Sequence, residues 1–590
     1  MKNYYYQLIT LLLVFFAHSS FAQSASISGV VTEKGSNIPL AGVNVTIEGT
    51  TIGSVTDFDG NYSLIADSSE GNTIVFSFIG FKTVSLVLKG GDQVVNISLE
   101  EDATGLNEVV VTALGIKREA KSLGYSLTKV DGDEVSQVKT ASAINSLQGR
   151  VAGVNISTSS TGVSGSSRVV IRGASSLTGN NQPLYVVDGI PIINNTNGSV
   201  VGPTNDGTGD GGDDISSLNP DDIESVSILK GSSAAALYGS LASNGVIMII
   251  TKSGKGQKNL GIEYSSSYTF DRINTNLQDI QTTYGQGDNG LKPGFEYDSN
   301  NNPVEIANAE NAIDDSFVST LQSWGALLDG SLVYNWDGVK RPYSYMGNNL
   351  DKFYDTGTTA INTLALSKAG DGYNYRFSMS NLDNRDIFPE TTLNRKSLSL
   401  NASAKINPKL TSTINAKYII EKVHNRINIG DTPGNANTVA YVLPSSLNIF
   451  DLKPGSNEQG TELLFQPSTF ISNPYWAVND FNNDDKKNRF TASTVLRYDI
   501  TDWLYTSGRA GIDTYDLSRR DVTPFGTAYR PAGEFSQSQS TYTSVDADFM
   551  IGVDTAITNK ISTNSIIGAN TRTSTFEQLS ALGRGFIIVG

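Results

Sequence analysis

The chain has 590 residues, which is enough for several domains. It contains no cysteine and only two histidines, His18 and His424, which excludes disulfide scaffolds, thiolate zinc sites, cysteine nucleophiles and histidine-based zinc hydrolases. A net charge of −16 argues against a nucleic-acid partner, because proteins bind nucleic acids largely by neutralising phosphates.

Residues 1–22 have the pattern of a secretory signal peptide. Lys2 precedes an apolar run over residues 8–17, and the small residues Ser20 and Ala22 come before the expected cleavage point after Ala22. The run is shorter than the ~20 residues that span a bilayer, so a membrane anchor is the less favoured alternative. Because no other long apolar run follows, a membrane location would have to come from β-strands.

Residues 23–100 are predicted to form a β-sandwich with a binding or spacing role, since no catalytic set is visible. Asp57-Phe58-Asp59-Gly60-Asn61 hints at calcium, but the sixth and twelfth positions of an EF-hand loop are here Tyr62 and Ser68 instead of glycine and glutamate. A tight turn is therefore favoured. Short β-branched or aromatic runs bounded by turn residues predict strands over 27–32, 43–48, 60–65, 73–78, 83–88 and 94–99.

Residues 101–115 are predicted to be a linker that carries a partner-binding strand. Its centre is Glu108, Val109, Val110, Val111 and Thr112. A run of valines favours an extended backbone, and an extended segment on a tether can add itself to the sheet edge of a partner. An edge strand of the sandwich is the alternative.

Residues 116–256 are predicted to form a small α/β domain. Asn219 can cap a helix that has Pro220 in its first turn, and Ser232 can cap the alanine-rich turn 233–238. The predicted strands are 168–172, 184–187, 225–229 and 246–251, separated by Asp188-Gly189, Asn219-Pro220 and Gly231.

Within this domain, residues 202–214 form a loop rich in Asp and Gly. Asp206, Asp210, Asp213 and Asp214 supply oxygen ligands at a density that could hold calcium. A solvated loop is the commoner structure for such a run. We therefore expect no cofactor and keep calcium as the alternative.

Residues 257–590 change to long alternating strands. Residues 373–380, 398–406 and 545–553 each have one apolar and one polar face, which is what a transmembrane β-barrel with a watery interior needs. A half-buried soluble sheet has the same alternation, but strand length, the many tyrosines and the signal peptide favour the barrel. The Asn-, Asp- and Gly-rich stretches 274–358 and 424–487 would be its extracellular loops.

Three groups of motifs give the chain a resemblance to the SusC/RagA family of TonB-linked outer-membrane transporters. NPDDIESVSILKGSSAAALYGSLASNGVIMIITKSGK, with LQGRVAGVNI and LYVVDGIPI upstream, is similar to that family's plug. GVNVTIEGTTIGSVTDFDGNYSL resembles its N-terminal carboxypeptidase-regulatory-like domain, and LNEVVVTALGIKRE its TonB box. The expected fold is therefore mainly β: a carboxypeptidase-regulatory-like sandwich, an α/β plug and the first strands of a 22-stranded transmembrane barrel.

The resemblance implies import of a nutrient, an oligosaccharide or a peptide, without enzyme activity. The C-terminal domain of TonB would bind Glu108 to Thr112, and a SusD-like lipoprotein would close over the extracellular loops in the outer membrane, with the N-terminal domain in the periplasm. Arg172 and Asp188 are the candidate plug-gating residues. Arg172 would anchor the plug to an acidic barrel wall, or else form a local salt bridge.

The number of strands suggests a longer protein. Residues 257–590 hold about ten candidate strands, which would close into a barrel of roughly 10 Å radius, whereas 22 strands give about 21 Å. A plug of this length has a radius of about 19 Å as a solid sphere, so only the larger barrel can hold it. The chain is therefore expected to be the front part of a transporter, or a truncated product.

Two other functions and one group of side chains stay open. A receptor that signals to a regulator is the alternative function, although such receptors carry a secretin-like domain where this chain has a sandwich. A secreted hydrolase is a third hypothesis, but the sequence lacks a metal-ligand or nucleophile motif. The loop aromatics Trp324, Trp336, Tyr343 and Tyr345 could stack on sugars or pack the loops together.

Overall fold

The computed structural model describes most of the chain after the predicted signal peptide, which lies outside the described residues. The described residues are 24–48, 50, 52–67, 72–78, 81–100, 109–111, 117–119, 127–159, 161–177, 180–192, 194, 210–231, 238–274, 280–305, 323–430, 432–466, 468–558 and 561–586. Compact unit 1 comprises 1–112 and 116–123, and unit 2 comprises 113–115 and 124–590. In the described part of the chain, no helix has the length and apolar character needed to cross a bilayer.

Unit 1 contains the expected sandwich, built from two four-stranded sheets. One sheet has the order β4-β1-β7 with β8 also paired to β1, and the other has the order β3-β2-β5-β6. Buried apolar side chains such as Ile27, Val45, Ile74 and Phe76 fill the space between them. The strands are β1 (Ser24–Glu33), β2 (Asn44–Ile47), β3 (Gly53–Val55), β4 (Asn61–Asp67), β5 (Thr73–Ser77), β6 (Val84–Val87), β7 (Gln93–Val94) and β8 (Ile97–Leu99).

The sandwich differs from the prediction at two places. The sequence predicts one strand over 94–99, but the structure has β7 and β8, because the side-chain oxygen of Asn96 accepts a hydrogen bond from the Val30 N–H at 2.9 Å. A side chain thus replaces a backbone carbonyl and interrupts the ladder. The three-residue strand β3 is too short to show a sequence pattern.

The valine run of the linker is extended, as its composition predicts. β9 (Val109–Val111) pairs antiparallel with β10 (Lys117–Glu119), with Val110 opposite Arg118. Glu108 and Thr112 lie outside the described residues. The backbone of the valine run is therefore already in a strand conformation.

The α/β domain, which we define as residues 127–256, contains a five-stranded sheet with the order β11-β16-β17-β14-β15. β14 and β17 are parallel and the other pairs are antiparallel. β12 and β13 form a separate hairpin. The elements are β11 (Leu127–Asp131), α1 (Gly132–Gln137), β12 (Val154–Thr158), β13 (Ser167–Ile171), β14 (Leu184–Val187), β15 (Ile190–Ile192), β16 (Ile223–Leu229) and β17 (Val246–Thr251), with 3-10 turns at Asn145–Leu147, Pro220–Asp222 and Gly239–Ala242.

Local sequence explains two of the turns in this domain. Asn219 accepts a hydrogen bond from the Asp221 N–H and has Pro220 after it, as predicted for a helix start. Asp188 and Gly189 have φ of 49° and 86°, so they form a two-residue turn that joins β14 to β15. Ser232 and residues 233–237 of its predicted turn lie outside the described residues.

Residues 261–584 carry a nine-stranded sheet in which each strand pairs antiparallel with the next. Connections alternate between two to four residues at one end, the short-turn end, and longer segments at the other, the loop end. The strands run to 25 residues, longer than the predicted runs of about ten, because cross-strand pairing continues past their apolar parts. They are β18 (Gly261–Asp271), β23 (Gly357–Gly370), β24 (Tyr373–Arg385), β25 (Thr392–Asn407), β26 (Leu410–His424), β27 (Asn482–Asp499), β28 (Leu504–Thr523), β29 (Glu534–Thr558) and β30 (Ile561–Arg584).

The two longest connections pack together at the loop end. We call their described residues, 272–356 and 425–481, the loop layer. Asn349 donates to Leu447 O at 2.9 Å and accepts from the Ile449 N–H at 3.1 Å. A shared apolar core includes Trp336 and Tyr475. The elements are β19 (Phe295–Tyr297), β20 (Pro303–Glu305), β21 (Leu332–Tyr334), β22 (Lys340–Pro342), α2 (Asn349–Phe353), α3 (Ala436–Val442), a 3-10 turn (Ile449–Leu452) and α4 (Pro474–Asn479).

Candidate functional site

The α/β domain packs against one face of the nine-stranded sheet, which we call the inner face. Alternation along each strand separates the two faces: on β26, Lys417 is 8% exposed whereas Tyr418 on the outer face is 41% exposed. The inner face carries buried cations on several neighbouring strands. These cations make the principal polar contacts with the α/β domain, and they fall into two classes.

In the first class, the cation is neutralised on the sheet and reaches the α/β domain through a carbonyl. Arg395 pairs with Glu421 at 2.6 Å and donates to Ala141 O at 2.6 Å. Arg509 on β28 pairs with Asp548 and donates to Gly189 O in the β14–β15 turn. Separating the domain from these arginines removes hydrogen bonds but leaves their charges paired.

In the second class, the cation pairs with a carboxylate of the α/β domain. Lys417 Nζ lies 2.6 Å from Asp188 Oδ2, and the two side chains are 10% and 9% exposed. Asp188 also accepts from Thr251, from its N–H at 2.9 Å and its hydroxyl at 2.8 Å. Lys487 on β27 pairs with Asp214 in the same way. These contacts attach the domain by charge as well as by hydrogen bonds.

Asp222 forms a third link of this kind. Arg376 on β24 approaches it at 3.2 Å and also lies 3.7 Å from Glu263 of β18, so this cation is shared between the domain and the sheet. Burial raises the pKa of Asp222 above its ordinary value, while hydrogen bonding by Ser378 and the charge of Arg376 act in the opposite direction.

The acidic loop is held by hydrogen bonds at its described residues. Asp210 accepts from the Ser166 N–H at 2.8 Å, and Asp213 accepts from the Ser167 N–H at 2.7 Å. Burial raises the pKa of Asp213. Asp206 lies outside the described residues. Across the described part of the chain, no group of three or more His, Asp or Glu is placed to hold a metal ion.

Comparison with known proteins bears on this arrangement. A CarboxypepD_reg-like domain model matches residues 27–111, and a TonB-dependent Receptor Plug Domain model matches residues 119–246. TonB-dependent receptor SusC from Bacteroides thetaiotaomicron is 36% identical over 272 residues, which are 46% of this chain and 25% of SusC. TonB-dependent receptor P3 from Formosa agariphila is 26% identical over 490 residues, 82% of this chain and 41% of P3.

A solved structure of the RagAB peptide importer has a TM-score of 0.60 at 22% identity, covering 79% of this chain and 49% of that one, and so shows a shared fold. The two domain models and these relatives support a SusC/RagA-type TonB-dependent receptor. The matched part spans less than half the length of these curated relatives.

The two candidate gating residues of this SusC/RagA-type receptor lie in different surroundings. Asp188 lies at the interface, in the ion pair with Lys417. Arg172 is exposed, has a positive φ of 60°, and its N–H donates to Gly153 O at 2.8 Å. Among the described residues its guanidinium forms no ion pair. The gating roles of both residues remain predictions.

The four loop aromatics divide into two pairs. Trp336 and Tyr343 are 6% and 1% exposed and pack the loop layer together, and burial raises the pKa of Tyr343 to about 12. Trp324 and Tyr345 are 68% and 44% exposed. Only this second pair is accessible to a ligand.

Sequence reasoning missed Lys417 and Lys487, the cations that pair with the α/β domain. A signal is present in the sequence, because each is a charged residue at an inward position of an alternating strand. Lys417 precedes Tyr418, which lies on the outer face. Lys487 and Arg489 lie on the inner face, whereas Phe490 lies on the outer face. What cannot be seen in the sequence is the partner carboxylate.

Proposed function

We propose that the receptor imports an oligosaccharide or a peptide across the outer membrane, with energy delivered through TonB. The observation that supports this most is the attachment of the α/β domain to the inner face by buried ion pairs, while the outer face is apolar. A domain held inside such a sheet can close a path, and its displacement can open one. The plug model that matches residues 119–246 supports the same role.

The outer face of the sheet suits contact with lipid. It presents large apolar side chains that water would disfavour as a continuous surface. Short turns at one end and long connections at the other are also typical of outer-membrane barrels. The exposed outer side chains include Tyr264, Tyr268, Phe270, Leu398, Leu400, Ile414, Tyr418, Phe490, Leu496, Tyr498, Val545, Phe549, Ile551 and Ile567.

TonB would bind the valine run. β9 has a neighbour, β10, so a partner strand can add to its other edge or replace β10. The force would then pass along the chain to β11, the outer strand of the five-stranded sheet. Mechanical delivery of energy agrees with the lack of a P-loop motif in the sequence.

The loop layer would hold the ligand under a SusD-like lipoprotein lid. Trp324 and Tyr345 offer exposed aromatic surface for stacking on sugar rings or peptide side chains. RagAB, which shares this fold, is a peptide importer, and SusC is the other relative from which we extend the assignment.

Replacing Val110 with proline tests the proposal. Proline lacks the N–H that strand pairing uses, so uptake of labelled oligosaccharide or peptide mixtures should be abolished while binding at the cell surface is retained. Val110→Thr keeps both the N–H and the β-branched side chain and should transport normally. Uptake that persisted in the proline variant would contradict the role of this segment.

A further inference from the structure

The two inner-face lysines differ from Arg395 and Arg509, which are paired with carboxylates of the sheet. Among the described residues, the only ion-pair partner of Lys417 is Asp188, and that of Lys487 is Asp214. Both carboxylates belong to the α/β domain. The nearby Glu421 is already paired with Arg395 at 2.6 Å. If the α/β domain moves, the two lysines lose these ion-pair partners, whereas Arg395 keeps its own.

The lysines follow one another along the direction of transport. Lys417 is opposite Thr491 in the β26–β27 register, and Lys487 lies four residues nearer the loop end on the same strand as Thr491. At about 3.3 Å per residue, the two levels are roughly 13 Å apart. The Lys487 Nζ also lies 4.6 Å from the centroid of the Tyr515 ring, which helps to keep it over the inner face.

Cations that have lost their ion-pair partners favour an anionic partner. Lys417 and Lys487 are 8% and 7% exposed while the α/β domain is in place. Once the domain moves away, their positive charges attract anions to the inner face. The hydroxyl groups of a neutral sugar can accept a hydrogen bond but bring no charge. A carboxylate can take over from Asp188, whose oxygen lies 2.6 Å from Lys417 Nζ.

A small cavity at the interface is lined by Lys417 and Ser399 of the sheet and by Asn219, Asp222 and Thr251 of the α/β domain. Movement of the β14–β15 turn would enlarge this cavity next to the lysine.

We propose that Lys417 and Lys487 form a carboxylate-binding track that becomes available when Asp188 and Asp214 move away, and that the transported oligomer carries carboxylates. The inference rests on the import function proposed above and specifies its substrate class. Carboxylates could belong to uronate residues of an oligosaccharide or to acidic residues of a peptide.

Ion selectivity of the opened receptor tests the track. The complete receptor is placed in a planar bilayer under a KCl gradient, and dilute urea on the short-turn side displaces the α/β domain reversibly. The opened receptor should prefer chloride over potassium, and Lys417→Gln with Lys487→Gln should lower that preference by about threefold or more. The control is Lys396→Gln with Lys422→Gln, which removes the same charge from exposed positions and should leave selectivity unchanged.

Soluble oligomers then distinguish the source of the carboxylate. Oligogalacturonate or oligoglutamate, added at the loop end, should reduce the current in the wild type and not in the double variant. The oligomer that reduces the current more strongly identifies the source of the carboxylate. Maltooligosaccharide and oligoglutamine should have little effect. A cation-selective pore, unchanged selectivity in the double variant, or equal block by neutral oligomers would overturn the track and leave import standing. A receptor that never conducts would overturn import as well.

Discussion

Separating the Lys417–Asp188 ion pair should loosen the α/β domain in a way that a double-mutant cycle can measure. The single variants are Lys417→Met and Asp188→Asn, and both changes are then combined. Asparagine tolerates the left-handed φ of 49° at position 188, so the turn is kept while the charge is removed. Lys396→Met, an exposed position on the neighbouring strand, is the matched control.

The expected size follows from burial. Removing one member of a buried pair costs about 3–5 kcal/mol because the other charge stays buried without a partner. Lys417→Met should be at the lower end, since Asp188 keeps two hydrogen bonds from Thr251. Asp188→Asn leaves Lys417 facing a neutral oxygen and should cost at least as much. In the combined variant both charges are gone, so its loss of stability should be smaller than the sum of the two single losses by about 2 kcal/mol.

The chain has no cysteine, which makes a single introduced thiol a clean reporter. Ile190 is 2% exposed and lies against Gly511 of β28, so a cysteine in its place reacts with a maleimide only when the domain opens. A loss of about 3 kcal/mol should speed labelling roughly a hundredfold. The reasoning is refuted if the combined variant labels at the product of the two single accelerations, or if the Lys396 control labels as fast as Lys417→Met.

Two further predictions concern the loop layer. Burial raises the pKa of Glu462, although its carboxylate accepts from the N–H groups of Asn473 and Ala528 at 2.7 and 2.8 Å. Its contribution to stability is thus fully present below the ordinary glutamate pKa and is lost as pH rises through the raised one. The protection of the Asn473 amide, taken relative to the intrinsic exchange rate at each pH, should therefore be greater in acid, and Glu462→Gln should remove this pH dependence of protection. Trp336→Ala should cost about 3–5 kcal/mol of loop-layer stability in thermal unfolding, whereas Trp324→Ala should leave stability unchanged and weaken ligand binding; equal melting of the two variants would contradict this.

Features set by neighbouring residues could be predicted from the sequence. The capped turn at Asn219-Pro220 follows from two adjacent residues. The strand at 398–406 follows from an alternation of apolar and polar residues that is visible within about ten residues of sequence. The valine run is extended for the same reason. In each case the structure obeys a preference that acts over one turn or one strand.

Features set by distant residues could not be predicted. The partners Lys417 and Asp188 are 229 residues apart, and Lys487 and Asp214 are 273 apart. For Arg172 the sequence left an acidic wall and a local salt bridge as alternatives, and it did not indicate that the inner face supplies cations to carboxylates of the α/β domain. Trp336 and Trp324 have the same chemistry, and only the packing of the two long connections buries one and exposes the other.

The distribution of these contacts determines where the domain should open first. Under the proposed coupling to TonB, force entering through the valine run would reach β11, whose five residue pairs with β16 can separate one after another at about 1 kcal/mol each. The opposite end of the same sheet, at the β14–β15 turn, is held by Lys417 and Arg509, and Lys417 can be released only by exposing a buried charge. Sequential loss of weak contacts needs less force than loss of a single strong one. Opening should therefore start at β11 and reach the lysine track last.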